Sequence, residues 1–330
     1  MFTFKNRRKG IMRKFLLGFL MSLLVIFLVA CGSDDDAEKT ESDEDDSEEP
    51  QTVTVEHELG TTEVEKNPEK VVVFDMGSLD TLDKLGIDVA GVPQQSVPDY
   101  LSKYEGDEYE NVGGLKEPDF EKIAEIDPDL IIISGRQGDM YDELQELGDT
   151  IFLGVDTENY MESFEDNVNT IGEIFDKETE VADALDAIEE KIDNAQETAE
   201  EADKNGLIIL ANDDKISAYG PSSRFGLIHD VVGVPAVDEG IEVSTHGQNV
   251  SFEYVVEQDP DLLYVIDRGA AVGEGESATE LIVENKLMED TKAMQNDDIY
   301  YLDPEYWYLS GGGLISVEEM VNEIAESLEE

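Results

Sequence analysis

Residues 118–136, PDFEKIAEIDPDLIIISGR, are matched without a gap by residues 250–268, VSFEYVVEQDPDLLYVIDR. Eight of the nineteen positions are identical: Phe120/Phe252, Glu121/Glu253, Glu125/Glu257, Asp127/Asp259, Pro128/Pro260, Asp129/Asp261, Leu130/Leu262 and Arg136/Arg268. A self-match of this length points to two halves of similar build. Each copy reads as a short helix, a D-P-D turn and an apolar run fit for a buried strand, 130–133 and 262–266. Each places one arginine just past the carboxyl end of that strand. Open parallel α/β sheets bind their ligands there.

Arginine is scarce in this chain. It occurs at positions 7, 8, 13, 136, 224 and 268, and the first three lie in a segment read below as a leader. That leaves Arg136, Arg224 and Arg268, two of them at equivalent positions of the repeat. A guanidinium offers a planar fork of donors and a charge that does not titrate away. Symmetric placement of so rare a residue points to an anion in the cleft between the halves. The bland alternative is three surface arginines in ordinary ion pairs.

The first thirty residues have the form of a secretory signal. Lys5, Arg7, Arg8, Lys9, Arg13 and Lys14 make a basic front, and an apolar run over 15–30 ends in Leu28-Val29-Ala30-Cys31. Met12 is an alternative start, because Met12-Arg13-Lys14 also supplies a basic region. Residues 34–50, DDDAEKTESDEDDSEEP, hold eleven acids in seventeen positions and no large apolar side chain. Such a segment is expected to be a disordered, self-repelling tether.

Removing a leader with six cations and no acids takes the formal net charge from −59 to −65. Nucleic acid is excluded as a partner, since phosphate binding needs basic surface. An acidic excess this strong suggests a high-salt habitat, where screening weakens self-repulsion. Cys31 is the one cysteine, so neither a disulfide nor a cysteine metal cluster is available.

The remaining chain reads as α/β throughout. Residues 52–59 alternate as an edge strand, and 70–75, 89–92 and 150–153 read as buried strands with helices at 78–85 and 139–147. This is a first lobe over 51–157. Over 158–204 apolar residues recur at helical spacing with no strand pattern, giving two amphipathic helices or one helix bent near Asp176. The second piece, about 25 residues, would span about 38 Å and bridge two lobes. A second lobe over 205–330 has strands at 206–211, 215–219 and 299–302. A helix over 224–232, with Ser222 or Ser223 as N-cap, would put Arg224 at its anion-favouring start. Further helices are expected at 278–286, 287–294 and 314–328. The fold class is therefore α/β: two Rossmann-like lobes, a long bridging helix and a ligand cleft between the lobes.

Three histidines are present. His57 falls in a strand and His229 among apolar helix residues, both structural settings, whereas His246 lies in the polar loop Val243-Ser244-Thr245-His246-Gly247-Gln248. Tyr306-Trp307-Tyr308 cannot all point one way, so at least one aromatic is expected at the surface beside the arginines. Gly311-Gly312-Gly313 precedes a helix but lacks the Lys and Ser/Thr of a P-loop. No nucleophile elbow, H-E-x-x-H or dinucleotide fingerprint is found, and an enzyme is not expected.

Together the Leu-Val-Ala-Cys junction, the acidic tether, the bridging helix and the repeated F-E-x-[IV]-x-x-x-x-P-D-L motif resemble the substrate-binding lipoproteins of iron-siderophore ABC importers. These are helical-backbone periplasmic-binding-type proteins, and the similarity runs from Cys31 to the end of the chain. Within that class the chain is most similar to the branch that binds petrobactin and other ferric catecholates. The resemblance implies cleavage before Cys31, lipidation of its sulfur, and anchoring on the extracytoplasmic face of the membrane. It implies Arg136, Arg224 and Arg268 as ligand-binding residues with Trp307 beside them. It implies His246 and Tyr308 as ligands that complete the Fe(III) shell, with Tyr306 a rival for the second. It also implies Glu121 and Glu253 as the contacts of the two lobes with a permease dimer. No intrinsic cofactor is expected: the ferric siderophore is cargo, and the protein is expected to be a monomer. Competing readings are a binding protein for a hydroxamate siderophore or haem, and an extracytoplasmic hydrolase.

Overall fold

Both copies of the repeat fold as a short helix, an aspartate turn and a buried strand. The structure, a computed structural model, describes residues 51–329 except 213–214 and 274–277. The expected leader, Cys31 and the acidic tether lie outside the described residues.

The chain begins with an antiparallel hairpin, β1 (Thr52–His57) and β2 (Gly60–Glu65). β3 (Val71–Val73), α1 (Met76–Leu85), β4 (Gly91–Val92), β5 (Glu110–Asn111), α2 (Phe120–Ile126), β6 (Leu130–Ile133), α3 (Tyr141–Gln145) and β7 (Asp149–Phe152) follow. Their strands form a parallel sheet in the order β5-β4-β3-β6-β7. The edge strand expected over 52–59 is β1, which has a single partner, β2, and joins neither large sheet. Val53, Val55 and Val64 bury one face of this hairpin, which gives the alternating segment its own partner.

Two helices lead to the second lobe, α4 (Tyr160–Ile174) and the 25-residue α5 (Glu178–Ala202). The break between them is at Asp176, whose φ is 52° and whose carboxylate takes hydrogen bonds from Lys66 and Asn67 at 2.7 and 2.6 Å. β8 (Gly206–Asn212), β9 (Lys215–Tyr219), β10 (Gln248–Val250), α6 (Phe252–Gln258), β11 (Leu262–Asp267), α7 (Arg268–Val272), α8 (Ala278–Val283), α9 (Lys292–Gln295), β12 (Ile299–Leu302) and α10 (Leu314–Glu329) complete the chain. The second sheet runs β10-β9-β8-β11-β12, with β8, β11 and β12 parallel and β9 and β10 antiparallel.

The identities in the repeat have a structural cause. Asp127 and Asp259 end α2 and α6 in the left-handed conformation, at φ 56° and 45°, which Asp tolerates better than most residues. Asp129 accepts from the backbone N–H groups of Glu69 and Lys70, and Asp261 from that of Asn205. Each D-P-D turn thus ties its own strand to the entry of the neighbouring one, β3 or β8. The strands then bury both faces. Leu130, Ile132, Leu262, Tyr264 and Ile266 point into one core shared with α5 and α10, while Ile131, Ile133, Leu263 and Val265 face two outer cores.

α10 is joined to the first lobe by a buried carboxylate. Asp80 of α1 accepts from the backbone N–H groups of Ile315 and Ser316 at 3.1 and 2.9 Å, and Thr81 from that of Leu314. Tyr100 donates to Asp80, and its phenol oxygen accepts from the Ser310 hydroxyl. These bonds satisfy amides at the start of α10 that have no partner within the helix. The glycine turn serves this contact: a Cβ on Gly313 would stand 1.9 Å from Asp80, and one on Gly77 would stand 2.6 Å from the Ser310 carbonyl.

Burial pushes the Asp80 carboxyl up to about 7, against the downward pull of its hydrogen bonds from Ser316, Ile315 and Tyr100. The folded value lies above the unfolded one. The group's contribution to stability is therefore full below the ordinary carboxylate range and is lost as pH rises towards 7. Urea unfolding of wild type and Asp80→Asn from about pH 4 to 8 checks this. The difference should move in favour of the variant as pH rises, and a pH-independent difference rules the account out. Asp80→Ala, which strands two buried N–H groups, should cost about 2–4 kcal/mol.

Candidate functional site

The three arginines come from separate turns and meet at one tyrosine. Arg136 lies in the turn after β6. That turn is held by the fully buried Gln137, which accepts from the Ser134 N–H and donates to the Leu115 carbonyl at 2.6 Å. Arg268 is the first residue of α7, directly after β11, and the side chain of Asp267 caps that helix through the Ala270 N–H. Arg224 lies in the turn between β9 and a π-helical turn, Leu227–Val231. The expected helix start at Arg224 with a serine cap is corrected. Ser222 takes a φ of 57° and its N–H donates to Asp230, while the Ser223 hydroxyl donates to the Gly220 carbonyl.

Tyr308 stands in a second π-helical turn, Glu305–Ser310. Its main-chain carbonyl accepts from Arg136 Nη2 at 3.0 Å and from Arg224 Nη2. Its phenol oxygen accepts from Arg268 Nε at 3.1 Å. The guanidinium carbons of Arg224, Arg136 and Arg268 stand 4.3, 5.9 and 6.0 Å from its ring centre. Arg268 Nη1 donates in addition to Asn212 Oδ1 at 3.1 Å. Among the described residues every ion pair is made by a lysine, and no carboxylate pairs with these arginines.

The electrostatics follow from that crowding. Burial lowers the Arg224 guanidinium, and the charge of Arg136 lowers it further. Burial raises the Tyr308 phenol, but the Arg268 hydrogen bond and the three positive charges outweigh it, and the phenol lies below its ordinary value. Its neighbour Tyr219 goes the other way, pushed up by burial to about 12.

Other expected site residues are placed differently. Trp307 is 2% exposed and its indole N–H donates to Glu323 at 2.6 Å, so the expectation that it lines the ligand site is corrected. Within the π-helical turn it points into the core, while the next residue meets the arginines. Tyr306 packs on Tyr100 of the first lobe at 4.8 Å and makes no ring contact with the arginines. His246 is exposed in its loop, and among the described residues no hydrogen bond or ring contact ties it to the arginines. Its neighbour Thr245 lines a groove of about 760 Å³ shared with His57, Asp156 and Asn167 of the first half; none of the arginines lines that groove. Glu121 and Glu253 are exposed on α2 and α6. Asn212 and Tyr219 were missed by sequence reasoning. Asn212 ends a strand on the ligand-binding edge of a parallel sheet, and that position was the available signal.

A family model described as periplasmic binding protein matches residues 71–306. The chain belongs to the periplasmic binding protein family. Within it, the chain is 53% identical to the petrobactin-binding protein YclQ of Bacillus subtilis, over 96% of this chain and all of that protein. It is 31% identical to the ferric-anguibactin-binding protein FatB of Vibrio anguillarum, covering 82% of this chain and 86% of the relative. The crystal structure of YclQ superposes with a TM-score of 0.83 over 85% of this chain and 99% of that one, at 55% identity. The catecholate-siderophore binding protein VctP of Vibrio cholerae gives 0.79 over 83% and 99%, at 33% identity. The α/β build expected from the sequence, two lobes with a helical backbone, is the fold of these periplasmic binding proteins.

Burial pushes Tyr100, Tyr104, Tyr160, Tyr254, Tyr264 and Tyr306 upward, so the Tyr308 transition should stand apart. In an ultraviolet pH titration, Tyr308→Phe should remove a phenolate transition below the ordinary value of about 10. Arg268→Gln should move that transition up. A Tyr308→Phe curve identical to wild type below that value contradicts the geometry.

Proposed function

We propose that this chain is the extracytoplasmic capture subunit of an ABC importer for a ferric catecholate siderophore of the petrobactin type. The observation that carries the reading is the meeting of Arg136, Arg224 and Arg268 with, among the described residues, no carboxylate in an ion pair with them. In a chain with 81 acids against 22 cations, such a cluster is costly unless an anion is its partner. Ferric iron held by three catecholates carries a charge of −3. Three guanidinium groups offset that charge and donate to the catecholate oxygens, each charge-assisted bond contributing about 1.5–3 kcal/mol. The relatives named for petrobactin and catecholate binding support the same cargo class. A hydroxamate complex, lacking that charge, would leave the arginines unmatched.

The remaining roles follow from this reading. The lowered Tyr308 phenol suits a hard ferric ion, which prefers oxygen donors. Tyr308 and His246 are the residues that would complete the iron shell when a siderophore supplies too few oxygens. Residues 1–30 act as the signal, Cys31 carries the lipid, and 31–50 tether the lobes at 51–157 and 205–330, bridged by 158–204, to the membrane. The protein acts as a monomer without a cofactor of its own, and it binds its cargo without turnover. Glu121 and Glu253, equivalent in the repeat and exposed, dock on the permease dimer.

Isothermal titration with ferric petrobactin or a simple ferric catecholate, beside a ferric hydroxamate, tests the cargo. The catecholate alone should bind at submicromolar concentration. Replacing Arg136, Arg224 and Arg268 together by Gln should weaken it by roughly a thousandfold or more. Unchanged affinity sinks the assignment of the arginines. Docking gives a separate forecast: Glu121→Lys with Glu253→Lys should abolish cellular iron uptake while titration finds binding intact.

A further inference from the structure

Arg268 touches two acceptors. Its Nε reaches the Tyr308 phenol and its Nη1 reaches Asn212 Oδ1, each at 3.1 Å. Together they hold two edges of one planar fork, which fixes the guanidinium plane and leaves its other N–H groups for a ligand. The second contact is built by strand register. Ala211 lies opposite Asp267 in the parallel pair β8–β11, so Asn212 and Arg268 follow side by side at the carboxyl edge. We propose that Asn212 is the positioning residue of Arg268: a neutral acceptor that aims the guanidinium and leaves its charge uncompensated for the anionic cargo. This rests on the reading of the site as a receptor for an anionic ferric complex.

Neutrality is the informative part. The sequence here runs Ala211-Asn212-Asp213-Asp214 in a chain with 81 acids. An aspartate at 212 would accept from Arg268 at least as well and would cancel the charge the cargo needs. Asn212 also pairs with Lys215 at the mouth of the β8–β9 hairpin, where a turn favours Asn. That local role is served equally by Asp, so Asn212→Asp separates the two explanations. Among the described residues the charged and titratable groups that act on Tyr308 are Arg136, Arg224, Arg268 and Tyr219. A carboxylate at 212 is felt at the phenol through Arg268.

The experiment compares the purified wild-type protein with Asn212→Asp, Asn212→Ala and Asn249→Asp, the last adding the same charge on the exposed edge strand of the same sheet. Two readouts are taken: affinity for a simple ferric catecholate, and the ultraviolet titration of Tyr308 against a Tyr308→Phe background. Asn212→Asp should weaken binding by roughly tenfold or more and move the Tyr308 transition up. Asn212→Ala should weaken binding less, and Asn249→Asp should match wild type in both. If wild type binds the catecholate and Asn212→Asp binds equally with the phenol unmoved, the proposal is overturned while the functional reading stands. If wild type binds no ferric catecholate yet Asn212→Asp still shifts the phenol, the functional reading fails and the positioning of Arg268 by Asn212 is supported.

Discussion

Three guanidinium groups held around one tyrosine, with no carboxylate in an ion pair with them among the described residues, set the terms for this molecule. Like charges at such spacing repel, and burial of Arg224 adds to the cost. The Tyr308 carbonyl and ring offset part of it, through hydrogen bonds from Arg136 and Arg224 and through the negative face of the ring. One π-helical turn thus satisfies three cations drawn from both lobes. A trianionic ligand brings more negative charge than a carbonyl and a phenol can. The cluster is therefore partly satisfied in the structure and open to a stronger partner.

The scaffold can be understood as what this cluster requires. Arg136 and Arg268 arrive at the carboxyl edges of two parallel strands because an ungapped repeat builds each strand behind the same aspartate turn. Tyr308 arrives because its turn is anchored on both sides. Trp307 is locked to Glu323 in the core, and Ser310 is tied through Tyr100 to Asp80. The buried carboxylate that caps α10 is thus linked to Ser310, two residues from the one the arginines hold. Gly313 and Gly77 let α1 and α10 approach closely, and Gly312 makes room for Val155, which gives two glycines of the run a packing role with no P-loop residues.

What was legible in the sequence is what depends on pattern. Continuous apolar runs, D-P-D turns and the helical spacing over 158–204 specified buried strands, turns and two helices, and the break at Asp176 fell where expected. The arginines were legible through their scarcity and symmetry. What was not legible depends on contacts distant in the chain. β1 alternates as an edge strand does, but nothing in that alternation names β2 as its one partner. Trp307 and Tyr308 are adjacent, and nothing local says which one faces the core; the decision rests with Glu323, sixteen residues on, and with arginines forty or more residues back. Asn212 carries no motif, and its relation to Arg268 exists only once β8 and β11 lie in register.

The packing also bears on how cargo is admitted. A single core runs from the inner face of the first sheet, through α5 and α10, to the inner face of the second. Opening the lobes widely would break that core, and densely packed interiors yield in discrete steps and do not stretch. α10 adds to this, since it packs on α5 while Asp80 of the first lobe caps it. Motion therefore concentrates where apolar contact is thin, in the exposed loop around His246, while the two π-helical turns keep Leu227, Ile228 and Trp307 in the core. On the proposed reading, selectivity rests on charge and donor geometry at the arginines, since this shared core holds the lobes in place.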